Sequence, residues 1–248
     1  MGGRGSSSGL IPPGPKAPPA PPMTPSGKTL ADFQAMDDKD MHDFLIDVNK
    51  TDTPDFLNTH HLQKMTYALG MNDKPEIISQ QEWDDMTVNA PFGSGATVIY
   101  RTVDDASLSG GVTLKASQQL KMLTDGDLTW HGNGIHGDGL YFSDSKSGSQ
   151  AYGRGGGRSR TIACVLNDKA KPITETALRK QYDAFVKTHP QTRKALGFAK
   201  ARSTHDSMSQ FALSQGYNVI ISKQFGSENY YTVLDRAALS TTGKIEKY

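Results

Sequence analysis

The segment Gly137-Asp-Gly-Leu-Tyr-Phe-Ser-Asp-Ser-Lys-Ser-Gly-Ser-Gln-Ala-Tyr-Gly153 carries the strongest structural signal in the chain. Its glycines precede a short apolar and aromatic run, Leu140 to Phe142, which predicts a strand. A serine-rich turn and a second aromatic residue, Tyr152, come next. Glycines beside an aromatic strand residue indicate a backbone that passes close to a ligand. The spacing would allow Tyr141 and Tyr152 to enclose a flat ring.

The composition limits the class of protein. The chain has 248 residues, of which 35% are hydrophobic, and a net charge of +1. This length allows one substantial domain with additional segments, and the small charge gives no general argument for binding nucleic acid or an anionic membrane. No apolar run reaches membrane-spanning length, and the N-terminus lacks the apolar core of a secretory signal. We expect a soluble protein of a reducing compartment, with the one cysteine, Cys164, buried in a strand.

Two segments precede the region that contains the opening motif. Residues 1–28 are almost entirely Gly, Ser, Pro and Ala, which predicts a disordered arm. Residues 29–92 show apolar residues at helical spacing, with a capping box at Ser79 and Glu82 and a helix end at Gly70. We interpret residues 29–92 as a helical region packed on the main domain. A separate docking module is the alternative.

The remaining residues, 93–248, mix predicted strands and helices. Strands are predicted at 97–103, 140–142, 161–166, 217–222 and 230–234, and helices at 113–123, 178–186 and 207–214. His131 and His136 lack zinc-ligand spacing with other donors, and a single cysteine cannot complete a ligand set. No metal site is therefore expected.

Three of these elements, in this order, resemble the ADP-ribosyltransferase superfamily over roughly residues 94 to 240. Val98-Ile-Tyr-Arg-Thr102 looks like the opening strand of the arginine-type transferases. The segment Gly137 to Asp144, together with Ser149 and Tyr152, resembles the glycine-tyrosine-phenylalanine strand and serine-tyrosine helix of poly(ADP-ribose) polymerases. The third element is similar to the closing strands of the family and comprises Gly216 to Ile220 and Tyr230 to Leu239.

The resemblance implies a fold, a substrate and a set of binding residues. The fold would be α+β, an ADP-ribosyltransferase-like split β-sandwich with flanking helices in residues 93–248. NAD would be the substrate, with its nicotinamide ring between Tyr141 and Tyr152. Ser149 would hydrogen-bond the carboxamide beside Thr102 of the first strand. The remaining binding residue, Arg101, would hold a phosphate or orient the ribose.

Two positions depart from the family pattern. Arg101 stands where the polymerase branch has histidine. Tyr230 stands where the superfamily has its catalytic glutamate, and Glu228 lies two residues earlier, where the arginine-modifying branch has an accessory acid. Strand residues two apart share a face, so Glu228 and Tyr230 are expected to point the same way. Glu228, Arg101 and Tyr230 are the candidate catalytic residues, and either Glu228 substitutes for the acid or the acid is missing.

These patterns lead to alternative functions. The first is a mono-ADP-ribosyltransferase that modifies host or phage proteins. The second is a catalytically degenerate transferase fold that acts as a virion or assembly component and binds capsid or portal proteins. A third is an NAD hydrolase or toxin with water as the acceptor. Met1 to Gly9, Thr53 to Asn58 and Ala68 to Pro75 look similar to proteins encoded near head-morphogenesis genes of phages and prophages of gut bacteria. This implies a phage-encoded protein in the host cytoplasm or packaged in the virion.

Overall fold

A computed structural model describes residues 26–50, 61–71, 74–90, 95–103, 106–107, 113–126, 132–134, 137–150, 160–193, 195, 208–223 and 228–247. The helices are α1 (Leu30–Gln34), α2 (Asp38–Lys50), α3 (His61–Ala68), α4 (Gln80–Thr87), α5 (Ala116–Thr124), α6 (Lys146–Gln150), α7 (Glu175–Thr188), α8 (Pro190–Arg193) and α9 (Met208–Ser214). The strands are β1 (Glu76–Ile77), β2 (Val98–Val103), β3 (Ala106–Ser107), β4 (Thr113–Leu114), β5 (Gly132–Gly134), β6 (Gly137–Ser143), β7 (Arg160–Leu166), β8 (Pro172–Thr174), β9 (Val219–Lys223), β10 (Asn229–Val233), β11 (Leu239–Thr241) and β12 (Ile245–Lys247).

The chain is an α+β protein built on one mixed sheet, which confirms the predicted class. Eight strands follow in the hydrogen-bonded order β1-β11-β7-β2-β6-β10-β9-β8, while β12 pairs with β7 and β5 pairs with β6. The pairs β1–β11 and β8–β9 are parallel, and the other pairs in this sheet are antiparallel. Strands β3 and β4 form a separate two-stranded ladder.

The sheet has a narrow junction in its middle. Strand β2 pairs with β7 from Val98 to Val103, and β6 pairs with β10 over four residues. Within the described residues, β2 and β6 are in register at a single pair, Tyr100 and Ser143. The two halves of the sheet are therefore joined by one residue pair, and the strands separate beyond it.

Two buried clusters lie against this sheet. One cluster combines the N-terminal helices with α7, α9 and β9, and includes Phe33, Leu45, Met65, Leu178, Phe211 and Ile220. The other is formed by the central strands and α5, and includes Ile99, Val103, Leu123, Leu140, Phe142, Ile162 and Val233. The predicted helical region thus shares a core with the later part of the chain. None of the helices in the described part of the chain has the length and apolar composition needed to cross a membrane.

Several local predictions agree with the structure. Ser79 and Glu82 form both hydrogen bonds of a capping box at the start of α4, and Gly70, after α3, has a positive φ of 67°. The helix predicted over 113–123 was placed too early, because residues 113–114 pair with β3 and α5 begins at Ala116. The arm over residues 1–25, His131, His136 and Tyr152 lie outside the described residues.

Helix α8 is held by a side chain from α2. The Asp38 carboxylate accepts hydrogen bonds from the backbone N–H groups of Gln191 at 3.0 Å and Thr192 at 2.8 Å, and from the Thr192 hydroxyl at 2.7 Å. Backbone N–H groups in the first turn of a helix have no partner inside the helix. Asp38 therefore supplies the cap for α8 across 154 residues of chain.

Replacing Asp38 with alanine should lower the free energy of unfolding by about 1–3 kcal/mol, because two backbone N–H donors lose a charged acceptor. Burial alone would raise the pKa of Asp38, but the hydrogen bonds from Thr192 and Gln191 lower the pKa overall. The stabilisation is therefore complete above the unfolded-state pKa and is lost as the pH falls through the folded-state pKa. Urea unfolding at several pH values measures both effects. Asp40→Ala, an exposed change on the same helical turn, is the control, and an equal loss in both variants would contradict the capping role.

The single cysteine lies in the middle of strand β7. Cys164 is buried and is not part of a disulfide. Burial raises the pKa of its thiol to about 12. Since the thiolate is the reactive form, Cys164 is a packing residue of the core, as the sequence indicates.

Candidate functional site

Hydroxyl side chains occupy one face of the central sheet. Residues paired in an antiparallel ladder project from the same face, and the register aligns Tyr100 with Ser143, Ser143 with Tyr230, and Tyr230 with Ser222. A second row begins with Tyr141 paired to Thr232. We call this surface the hydroxyl face; it comprises Tyr100, Thr102, Tyr141, Ser143, Ser222, Tyr230 and Thr232. The hydroxyl face includes Tyr100 and Ser143, the pair that forms the narrow junction between β2 and β6.

Helix α6 packs over the hydroxyl face and brings two of the predicted binding residues together. The hydroxyl oxygens of Thr102 and Ser149 are 3.0 Å apart. The Ser149 hydroxyl also donates to the carbonyl oxygen of Lys146 at 2.8 Å, so the proton between the two hydroxyls comes from Thr102. Ser149 is only 3% exposed. In this arrangement the Ser149 oxygen accepts from Thr102 and retains one lone pair for a second donor.

Glu228 lies on the same side as Tyr230, as its spacing predicts. The Tyr230 hydroxyl donates to Oε2 of Glu228 at 3.3 Å. A methyl group built on Gly148 would overlap Oε2 of Glu228 and would lie 2.5 Å from Oγ of Ser143. The carboxylate therefore rests directly against the backbone of α6, at a position where any side chain would displace it. Tyr230 itself is 7% exposed and forms part of the floor under the carboxylate.

Arg101 projects from the opposite face of the sheet. Arg101 shares this face with Ile99 and Val103, which lie two residues before and after it in β2 and are both buried in the central cluster. Its Nη1 donates to the carbonyl oxygen of Tyr141 at 3.2 Å, across the gap where β2 and β6 separate. Burial, together with the nearby charge of Arg236, lowers the pKa of Arg101 to about 10, which still leaves the guanidinium protonated at neutral pH. The structure thus does not bring Arg101 beside Glu228, and its predicted contact with a phosphate stays a prediction.

Tyr141 is the described member of the predicted aromatic pair. It is half-buried on the hydroxyl face, next to Thr232 in the neighbouring strand. The second member, Tyr152, falls outside the described residues, so the enclosure of a ring stays a prediction.

Four residues of the site were missed in the sequence. Tyr100 lies on the hydroxyl face, with Nζ of Lys146 5.5 Å from its ring centre. Gly148 lies against the Glu228 carboxylate, the Ser143 hydroxyl lies next to the same glycine, and Asp144 is bonded to the residue after Glu228. Tyr100 was identifiable because it lies two residues before Thr102 in a strand. The other three depend on contacts between β6, α6 and β10, which no local pattern specifies.

A shallow cavity of about 460 Å³ lies elsewhere, between α4 and the end of β7. Its polar groups serve local structure. Asp85 accepts hydrogen bonds from Gln81 and Asn89, and the Asn167 amide donates to the carbonyl of Ala237 and to Ser240. The hydroxyl face, which combines a carboxylate, aromatic rings and hydroxyl groups, is therefore the better candidate site.

Comparison of the chain with protein-family models, with curated proteins and with solved structures gives no match.

Proposed function

We propose that the protein is an NAD-dependent mono-ADP-ribosyltransferase, encoded by a phage and acting on host or phage proteins. The observation that carries the proposal is the convergence of Tyr141, the Thr102–Ser149 pair and Glu228 on the hydroxyl face. These residues come from four separate segments, and they are the types that the family resemblance assigns to the NAD site. Location in the host cytoplasm or in the virion is part of the same proposal.

The proposed fold is an ADP-ribosyltransferase-like split β-sandwich. Two features support it. The central sheet is divided into halves that are joined at the pair Tyr100 and Ser143. Helices pack beside both halves, in two separate buried clusters.

The reaction breaks the bond between the ribose C1′ and the nicotinamide nitrogen. The bonding electron pair stays on the nitrogen, so nicotinamide leaves as a neutral ring and positive charge develops on the ribose. The Glu228 carboxylate stabilises this charge and accepts a hydrogen bond from a ribose hydroxyl. A nucleophile of the acceptor protein then bonds to C1′ and loses its proton to solvent. Water in the same place would give hydrolysis instead.

Other residues of the site bind NAD or hold the groups that contact it. The Tyr141 ring stacks on the nicotinamide, which is cationic in NAD and is attracted to an aromatic face. Ser149 accepts from the carboxamide NH₂. Tyr230 holds one oxygen of Glu228 and so fixes the direction of the carboxylate. Arg101 fixes the backbone of Tyr141 from behind the sheet through the carbonyl oxygen.

Exchange of Tyr141 for leucine tests the NAD site. The variant keeps apolar bulk but loses the aromatic face, so the Kd for NAD should rise roughly five- to thirty-fold. Isothermal titration with NAD measures the change. Tyr217→Leu, a similar change at the turn before β9, is the control and should leave the Kd unaltered. Wild-type protein that neither binds NAD nor transfers labelled ADP-ribose to protein would refute the proposal.

One observation favours the non-catalytic alternative. Tyr230 occupies the position at which the family has its glutamate, and this side chain is buried and carries a hydroxyl group in place of a carboxylate. A degenerate transferase fold that serves as a virion or assembly component, in contact with capsid or portal proteins, would tolerate this tyrosine. Failure of wild-type protein to bind NAD, combined with co-purification with particles, would support this alternative.

A further inference from the structure

The turn after β6 is bonded closely to the start of β10. Both carboxylate oxygens of Asp144 accept from the backbone N–H of Asn229 at 3.1 Å, and Oδ2 also accepts from the Asn229 side-chain amide at 2.7 Å. In return, the backbone N–H of Asp144 donates to the carbonyl oxygen of Asn229 at 3.1 Å. The pair lies 85 residues apart in sequence. We call these contacts the Asp144–Asn229 junction.

The junction lies where the sheet ladder ends. Ser143 and Tyr230 form the last register pair of β6 and β10, and β10 itself begins at Asn229. Glu228 precedes the strand, so no ladder hydrogen bond of β10 fixes its backbone. The bonds from Asp144 to the very next residue therefore restrain the backbone beside Glu228 from the side of β6, as the pairing of Asn229 with Lys223 does from the side of β9.

The same turn also holds helix α6, against which the Glu228 carboxylate lies. Ser145 follows Asp144 directly, and its hydroxyl oxygen accepts from the backbone N–H of Gly148 at 2.9 Å. Gly148 is the residue whose backbone contacts Glu228. One turn thus holds both the chain that carries the carboxylate and the helix against which it rests.

We infer that Asp144 is a positioning residue that holds Glu228 where its carboxylate lies against Gly148 of α6. The inference rests on the proposed function for its catalytic consequence, whereas the restraint itself is a property of the folded chain. Both oxygens of Asp144 accept hydrogen bonds from Asn229, so the role that the structure gives Asp144 is to hold the chain beside Glu228. Its effect on the reaction passes through the position of Glu228.

The test uses the full chain with Asp144→Asn, Asn229→Asp and the double variant. The amide oxygen introduced at position 144 can replace only one of the two carboxylate oxygens, and the NH₂ group in the other place faces an N–H donor of Asn229. The junction therefore loses a hydrogen bond and the negative charge that strengthens the others. In the double variant, the new amide at position 144 donates to the new carboxylate at position 229, and its oxygen still accepts from the backbone N–H of that residue. The exchanged pair should therefore restore the junction. Asp183→Asn, an exposed change on α7, is the matched control.

The first measurement is amide hydrogen exchange at position 229 and at Tyr230, which requires no activity. We expect exchange in Asp144→Asn to accelerate by about ten- to a hundred-fold, since a hydrogen bond to a charged group is lost. The double variant should return toward the wild-type rate. Unchanged exchange in a folded Asp144→Asn protein would overturn the inference, whatever the activity of the wild type.

The second measurement is ADP-ribose transfer. Displacement of Glu228 should lower kcat by about ten- to a hundred-fold and leave NAD affinity within about twofold, because Asp144 does not touch the substrate. Recovery of kcat in the double variant is expected. An equal loss of NAD affinity would overturn the positioning role. An inactive wild type with accelerated exchange in Asp144→Asn would refute the proposed function and leave the restraint on Glu228 supported.

Discussion

Substitution of Glu228 by glutamine should lower the rate of ADP-ribose transfer by about 10²- to 10³-fold, the usual cost of losing one group that stabilises transition-state charge. Glutamine keeps the size of the side chain and still accepts from the Tyr230 hydroxyl. The change therefore removes the negative charge and little else. NAD affinity should remain within about twofold, since the charge on the ribose develops only during bond cleavage. Single-turnover transfer of labelled ADP-ribose, with NAD titration alongside, measures both quantities.

Two companion variants make this result specific. Glu175→Gln removes a carboxylate at the start of α7 that is paired with Arg179, and should leave transfer unchanged. Tyr230→Phe removes the hydrogen bond to Glu228 without removing the charge, so its loss should be smaller than that of Glu228→Gln. Full activity in Glu228→Gln would show that this carboxylate is not the catalytic acid of the protein.

A methyl group at Gly148 should abolish most of the activity while the protein stays folded. Replacing a glycine inside a helix by alanine ordinarily stabilises it by about 0.5–1 kcal/mol. At this position the new Cβ would overlap the Glu228 carboxylate and lie 2.5 Å from the Ser143 hydroxyl. Glu228 has the more flexible side chain and would move away from the site, so we expect transfer to fall by about 10²-fold.

The Gly148→Ala result has a matched control and an independent check. A Cβ at Gly95 would meet its neighbours at ordinary contact distance, 3.6 Å, so Gly95→Ala should be close to neutral. A double-mutant cycle with Glu228→Ala then measures the clash through unfolding free energies. Coupling of about 1 kcal/mol or more would support direct contact, whereas an additive cycle would show that the carboxylate does not rest on Gly148.

Local chemistry in the sequence predicted much of the fold. The capping box at Ser79, the helix end at Gly70 and the closing strands depend on near neighbours in the chain, so pattern and propensity identify them. Strands of two or three residues, such as β1 and β11, are too short to show a period. They form because neighbouring strands supply partners. Helix α8 begins at Pro190, where proline at the first position needs no N–H.

The sequence predicted the residue types of the site, but not the face of the sheet to which each side chain points. In β2 both alternating sets mix polar and apolar residues, Ile99 with Arg101 on one side and Val98 with Tyr100 on the other. Alternation alone therefore cannot assign Arg101 to a face. The assignment depends on its partners in neighbouring strands, which are Ile162 and the carbonyl oxygen of Tyr141. For Glu228 and Tyr230 the two-residue spacing was sufficient, because Glu228 directly precedes β10 and Tyr230 is the second residue of that strand.

The buried thiol has a practical consequence for spectroscopy. Cys164 is the one cysteine of the chain, and because the thiol is buried with a raised pKa, we expect it to react slowly with maleimide or methanethiosulfonate reagents in the folded protein. A cysteine introduced at an exposed site is therefore the single labelling position, with no need to remove the native residue. Spin labels or fluorophores at pairs of such sites can report distances across the junction between the two halves of the sheet as NAD is added.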